Sequence, residues 1–269
     1  MFEEIKSELR VIWSFVRVGA YVFFSRRWNV ISRFLGIAVN VAVIGIFARL
    51  VTLDADIAQY GTPRFLEFFV IAMFITNLVF LGTGSVSAIM RGTNFSNLYT
   101  SRCKFITIFI GSNAWNIIFR FLTAFLFIFI AILAFDAQIY FNLGFLAVFV
   151  SGFILMLALD LFAAGFTVVT KSMTDPVNWF LGLTSQLVSG TYFPVENLPR
   201  WLQPISHIHP QTYINKFARL TMGGNASLVE VWPELRAFIL TTIIMFVIGY
   251  GMFKLGFNRA RVSGTLGHQ

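Results

Sequence analysis

Charge is scarce in this sequence. Asp, Glu, Lys and Arg make up only 12% of its 269 residues, about half of what a soluble domain carries. That shortage excludes an ordinary water-soluble globule. Cysteine is nearly absent: the single Cys103 rules out an intrachain disulfide and says nothing about redox compartment. His207 and His209 stand in "HIHP" without neighbouring cysteines or a set of carboxylates, so they are read as structural and no metal site is assigned. "GTGSVS" at 82–87 puts serine in an apolar run, but no histidine occurs in any such run to activate it, so no catalytic residue is assigned. Alternating apolar and polar residues are missing as well, which argues against a β-barrel.

A phosphate-binding loop is also absent. The nearest string, "GFTVVTKS" at 165–172, has Gly165 and Lys171-Ser172, but Thr170 stands where a second glycine is required. It closes an apolar run instead of following a strand, so no backbone cradle for phosphates is expected. The longest stretch outside the apolar runs, 194–236, has no room for a nucleotide-binding domain. Any ATP or Mg this protein depends on belongs to another chain.

What the sequence has in quantity is apolar length. Hydrophobic residues reach 57%, with 33 phenylalanines. Runs of about 20 residues recur, enough to cross ~30 Å of hydrocarbon as helices. The expected fold is an all-α polytopic membrane protein with six transmembrane segments, at 28–50, 65–90, 105–135, 143–170, 179–193 and 237–257. The net charge of +8 fits membrane topology and anionic headgroups. No basic patch interleaves with aromatics, so nucleic acid is not an expected partner.

Residues 1–27 show no h-region or small-residue cleavage site. Phe2, Ile5, Leu9, Ile12 and Val16 step by three and four, which predicts an amphipathic helix lying in the headgroup plane. Arg26, Arg27, Arg91, Arg102, Lys104, Lys171, Lys254 and Arg259 fall on one side of the predicted spans. The opposite short loops hold Arg64, with Arg49 near a span end. By the positive-inside rule both termini are cytoplasmic.

Arg33, Glu67, Arg120 and Asp160 lie in or near the spans. Counted at 1.5 Å per residue from the outer ends, Arg33, Arg120 and Asp160 share a depth of roughly 22–26 Å. The expectation is a buried Arg–Asp clamp in one layer, with a polar gate or headgroup contact as the functional alternative. Glu67 is expected to pair with Arg64 or Arg49. Segment 179–193 is too short to span comfortably, and Pro194, Pro199, Pro204 and Pro210 cut up the chain after it. Irregular backbone at that depth must be covered by protein or line a wet cavity. "ENLPRWLQPI", with Asn197 as its cap, and "HPQTYINKFARLTM", ended by Gly223-Gly224, read as two short helices re-entering the outer leaflet.

Phe193-Pro194, Leu198-Pro199, Trp201-Leu202, Pro210, Thr212-Tyr213 and Arg219 together resemble the segment before the last span in permeases of ABC type-2 exporters, which include drug, nodulation-factor and polysaccharide exporters. The resemblance covers essentially the whole chain. It implies an external gate built on Phe193, Pro194, Leu198, Pro199, Trp201, Pro210, Tyr213 and Arg219. It also implies a cytoplasmic coupling segment in 91–104, where Gly92-Thr93 and Leu98-Tyr99 match, while Arg91 replaces an acid and Ser101-Arg102 replaces Ser-Pro. Arg91, Gly92, Thr93, Leu98, Tyr99 and Arg102 are the residues it assigns to contact with the ATPase. Two copies of an ABC ATPase and a second permease, identical or related, are the implied partners, beside membrane lipids. The implied setting is a prokaryotic inner or plasma membrane, and the implied cargo is amphiphilic, lipid-linked, polysaccharide or drug-like. An integral lipid-modifying enzyme and a non-transporting scaffold are the alternatives. An adjacent gene for a Walker-type ATPase separates them from a transporter.

Overall fold

The computed structural model describes residues 2–50, 62, 64–79, 105–170, 172 and 174–262. Among these, all regular structure is helical: α1 (Phe2–Ser25), α2 (Arg27–Leu50), α3 (Phe65–Val79), α4 (Phe105–Phe135), α5 (Leu143–Thr170), α6 (Pro176–Val188), α7 (Gln203–Ile208), α8 (Pro210–Ala218) and α9 (Leu228–Val262). Ile110–Phe135, Leu143–Thr170 and Leu228–Arg259 are long and apolar enough to cross a membrane.

The core forms around α3, twelve of whose fifteen residues are buried. A helix that is apolar all round must be wrapped on every side. Here α2, α4, α5 and α8 wrap it, and Phe74 meets Phe125, Phe141 and Phe145. The outer faces of α2, α4, α6 and α9 are apolar and exposed, with Leu35, Leu133, Trp179 and Val247 among the most exposed side chains. Apolar faces of this extent belong against lipid or protein, not water.

The N-terminal helix departs from the simple interfacial picture. Gly19 lies against Trp115, and Gly111 against Phe15, so α1 and α4 exchange small residues for large ones at their crossing. Thr107 donates a hydrogen bond to the Glu8 carboxylate across the same contact. Val16 is buried there, while Leu9 of the same predicted stripe is exposed together with Trp13 and Tyr21. The apolar stripe is therefore divided, one flank packed on α4 and the other facing outward.

Two predicted boundaries shift. The segment read as 179–193 is helical over Pro176–Val188, because Asp175 caps it by accepting from the Asn178 amide at 3.2 Å and Pro176 starts it. The last helix begins at Leu228, nine residues before the predicted 237, and carries Pro233 in its second turn.

The closest approach of two backbones at the described glycines joins α5 and α9. A Cβ on Gly249 would lie 2.2 Å from the Ala158 carbonyl oxygen, and one on Gly165 would lie 2.4 Å from that of Met252. Small residues permit this approach where water supplies no hydrophobic drive. We expect Gly249→Val to lower the melting temperature of the purified protein, at a cost of about 1–3 kcal/mol. Gly182→Ala, with open space around it, should leave it unchanged. Equal melting of both variants would refute this contact.

Candidate functional site: a polar cap and the cavity beneath it

At one end of the bundle the irregular chain 189–227 folds back as a cap. Ser189–Phe193 turns away from α6, with Gly190 at φ +69°, a conformation that favours glycine. Val195–Asn197 forms one 3-10 turn, so Asn197 ends that turn and does not cap a longer helix; Leu202 precedes α7. His209 is the N-cap of α8, its Nδ1 accepting from the Gln211 amide at 3.3 Å. After Ala218 the helix loosens into a π turn, Arg219–Gly223, closed at Gly224.

The four-residue spacing of Gln211, Asn215 and Arg219 sets them along one face of α8. All three are buried, at 0%, 0% and 5% exposure. Gln211 Nε2 donates to Thr76 Oγ1 at 2.5 Å and to Asn215 Oδ1 at 3.2 Å. Asn215 Nδ2 donates to the Ser189 carbonyl at 3.0 Å and to Thr191 Oγ1 at 2.9 Å. Arg219 donates from Nε to the Phe68 carbonyl at 3.0 Å, and from Nη2 to the Gly190 and Thr191 carbonyls at 2.6 and 3.3 Å. Its guanidinium lies 3.3 Å above the centre of the Phe68 ring, a cation–π contact. One arginine thus fastens the glycine turn to the central helix.

A second clamp holds the neighbouring turn. Glu67 is fully buried and accepts from Arg64 Nε at 3.0 Å, from Arg64 Nη2 at 2.6 Å and from the Gln138 amide at 3.0 Å. Arg64 is one of the two partners expected. Asn142 accepts from the Phe145 amide at the start of α5 and donates to the Thr221 and Ala226 carbonyls, each at 3.0 Å.

Beneath the cap lies a polar cavity of about 490 Å³ between α2, α3, α4 and α6. Ser32, Arg33, Asn40, Thr76, Asn77, Thr123, Gln186 and Thr191 line it, with Ile37, Met73 and Phe127 as its apolar part. Thr76 and Thr191 belong both to the cavity wall and to the buried network behind it. A smaller cavity of about 360 Å³ lies in the cap, lined in part by Glu196, His207, Tyr213, Lys216 and Arg219.

The cap gathers most of the predicted gate. Pro194, Leu198 and Arg219 are buried; Phe193, Pro199, Trp201 and Tyr213 are exposed; Pro210 starts α8. Tyr213 Oη donates to the His207 carbonyl at 2.8 Å. Phe217 is buried, and Trp201 is 72% exposed. Arg91, Gly92, Thr93, Leu98, Tyr99 and Arg102 lie outside the described residues. Gln211 and Asn215 were not singled out from sequence, although their spacing from Arg219 was the signal that could have found them.

The predicted charge layer is corrected. Asp160 is buried as expected, but it accepts from Asn178 Nδ2 at 2.9 Å, and that same amide also donates to Asp175 at 2.8 Å. Arg33 and Arg120 are exposed on the single chain, and no ion pair joins Arg120 to Asp160. The helices are offset along their axes. Phe121 meets Phe149 at 5.7 Å, and Phe149 stands ~16 Å of helical rise from Asp160. Counting depth from the helix ends missed that offset.

These features define a polytopic all-α membrane protein with a polar-lined cavity among its helices. The chain belongs to the ABC-2 type transporter family, whose profile matches residues 14–222, and it is a transmembrane permease of an ABC transporter. Comparison with curated proteins found no match.

Two outcomes follow for the cap. Lysine lacks the fork that reaches three carbonyls, so Arg219→Lys should cost about 2–4 kcal/mol, read as a lower melting temperature. His209 is 6% exposed, and burial holds its pKa down at about 4, against the opposing pull of the Leu181 carbonyl. The neutral ring accepts the Gln211 amide, and protonation of Nδ1 would remove that acceptor. Between pH 6.5 and about 4 the unfolded chain binds a proton that the folded chain refuses, so stability falls as the pH drops through that window. The expected loss is about 3 kcal/mol. His209→Asn, which retains a capping side chain, should flatten the melting profile there. An unchanged acid slope in this variant would remove His209 from the account.

Proposed function

We propose that this permease is the membrane half of an ATP-driven exporter of amphiphilic cargo. The observation that carries the reading is the polar cavity running along α2 and α3 below a hydrogen-bonded cap. A chain that lines a wet space inside apolar helices, and ends that space with a separate structural unit, has the parts of a gated path. The cap is the gate in this reading. Arg219 and the Gly190 turn hold it shut, and motion of α8 against α3 opens it.

The energy source is a separate ATPase present in two copies, with ATP and Mg bound there. It docks on the cytoplasmic segment 91–104. A second permease, identical or related, covers the apolar outer faces and completes the path. In this reading both termini are cytoplasmic, supported by the Lys and Arg distribution, with six membrane segments and the cap outside, in a prokaryotic inner or plasma membrane.

Reconstitution with the ATPase that co-purifies tests the partnership. Reversing the charge of Arg91 and Arg102 together should reduce permease-stimulated ATP hydrolysis several-fold while the permease still elutes as a folded species. Stimulation equal to wild type would detach 91–104 from the ATPase. The cap is tested by cysteine scanning with an impermeant reagent in a Cys103→Ser background. Positions 196 and 225 should label rapidly from outside. Positions 201, 205 and 208 carry exposed apolar side chains and should label slowly if they rest in lipid. Rapid labelling throughout would make the cap a water-exposed loop and end its reading as a re-entrant gate.

A further inference from the structure

The charge in the large cavity is one-sided. Among the described residues that line it, Arg33 is the one charged side chain. Its guanidinium carbon stands 5.9 Å from the centre of the Phe119 ring. Arg120 follows Phe119 along α4 and lies outside the cavity lining. Neither arginine enters an ion pair among the described residues. A guanidinium that lines a cavity among apolar helices, with a second arginine one residue beyond the ring it faces, favours an anion there.

The rest of the lining says what kind of anion. Asn40 and Asn77 each donate one amide hydrogen to a carbonyl of their own helix and keep the second, and Gln186 adds a further amide to the lining, so amide donors stand near the guanidinium for an oxyanion with more than two oxygens. A guanidinium fork matches phosphate oxygens in pairs. The cavity volume of about 490 Å³ exceeds a bare ion. From Arg33 to Asn40 it runs ~10 Å along α2, beside the apolar Ile37, Met73 and Phe127.

We propose that this cavity binds a phosphate-type oxyanion, either a lipid headgroup or a free phosphate ester. Arg33 is the main ligand, the remaining amide hydrogens of Asn40, Asn77 and Gln186 fill the other positions, and Arg120 adds positive potential from outside the lining. As a statement about cargo this rests on the permease reading. As a binding site it requires no ATPase, so its test stands apart.

The test incubates the purified full chain in detergent with phosphatidylcholine and phosphatidic acid at equal concentration and counts retained lipid by native mass spectrometry. Wild type should retain phosphatidic acid in preference. Arg33→Gln should lower that retention about ten-fold with phosphatidylcholine unaffected. Asn40→Asp puts a carboxylate on the cavity wall and should act the same way while Arg33 remains, which separates binding from any folding defect of one variant. Arg26→Gln, outside the cavity lining, should change nothing. Displacement of phosphatidic acid by inorganic phosphate assigns the site to the bare oxyanion; retention against it assigns the site to a lipid headgroup with its chains. Equal retention of the two lipids, or retention of phosphatidic acid indifferent to both cavity variants, overturns the proposal. Neither result touches the ATPase test, and failure of the ATPase test leaves this binding intact.

Discussion

A single buried cation ties the irregular part of this protein to the regular part. Arg219 reaches the carbonyls of Phe68, Gly190 and Thr191 and covers the Phe68 ring. A guanidinium away from water is costly unless its donors are used. Here the use is spread over two pieces of chain that are distant in sequence, so the turn after α6 cannot move from α3 without leaving several donors unmet. The left-handed Gly190 aims its carbonyl at the arginine. Asn215 and Gln211 extend the same logic one and two helical turns further, so that α8 presents a polar edge inward and packs Phe217 and Ile214 beside it.

That polar edge explains why the cavity sits where it does. Thr76 and Thr191 each face two ways, toward α8 and toward the cavity. The network behind the wall and the cavity in front of it therefore share side chains. A rearrangement of the cap that breaks the Asn215–Thr191 or Gln211–Thr76 bond changes the cavity wall at the same moment. This linkage needs no long-range pathway, because the cap network and the lining are neighbours. Buried hydrogen bonds of this kind have discrete made and broken states, which suits a gate better than a continuously deformable contact.

The architecture was legible in the sequence where its cause was local. Continuous apolar runs announced helices 105–135 and 143–170. Proline positions and the Gly223-Gly224 stop announced a short helix over 209–222, which is α-helical over 210–218 and a π turn over 219–223. Glu67 pairs with Arg64, one of its two expected partners. The site was legible in part. Proline spacing located the cap, and Arg219 was identified within it. Its partners were not, because backbone carbonyls carry no sequence signature. Gln211 and Asn215 were passed over because a hydrophobicity pattern treats polar residues near a loop as solvent-facing, whereas here tertiary contacts bury them. Helix 176–188 starts earlier than its apolar run because Asp175 and Pro176 decide the boundary, and caps override hydropathy at helix ends.

The largest disagreement concerns charge. Equal depth on paper matched Asp160 with Arg120, a neutral pair needing nothing further. In the structure the carboxylate is held by Asn178, beside the Asp175 cap, at the far end of α5 from the ring that marks Arg120's level. The acid and the two arginines thus fall into separate environments, and the local charge balance changes sign. Near Asp160 an amide nitrogen is shared by two carboxylates; near Arg33 polar groups converge on a cation with no acid among them. A clamp that neutralised itself would have been a structural feature with no call on anything outside the chain. An arginine in a wet cavity, with a second one nearby, has an unmet electrostatic demand that the described lining does not satisfy. The hydrocarbon tails of lipid cannot satisfy it either. No described residue of the lining supplies the complementary charge, and this makes the position of Arg33, rather than its burial, the informative property.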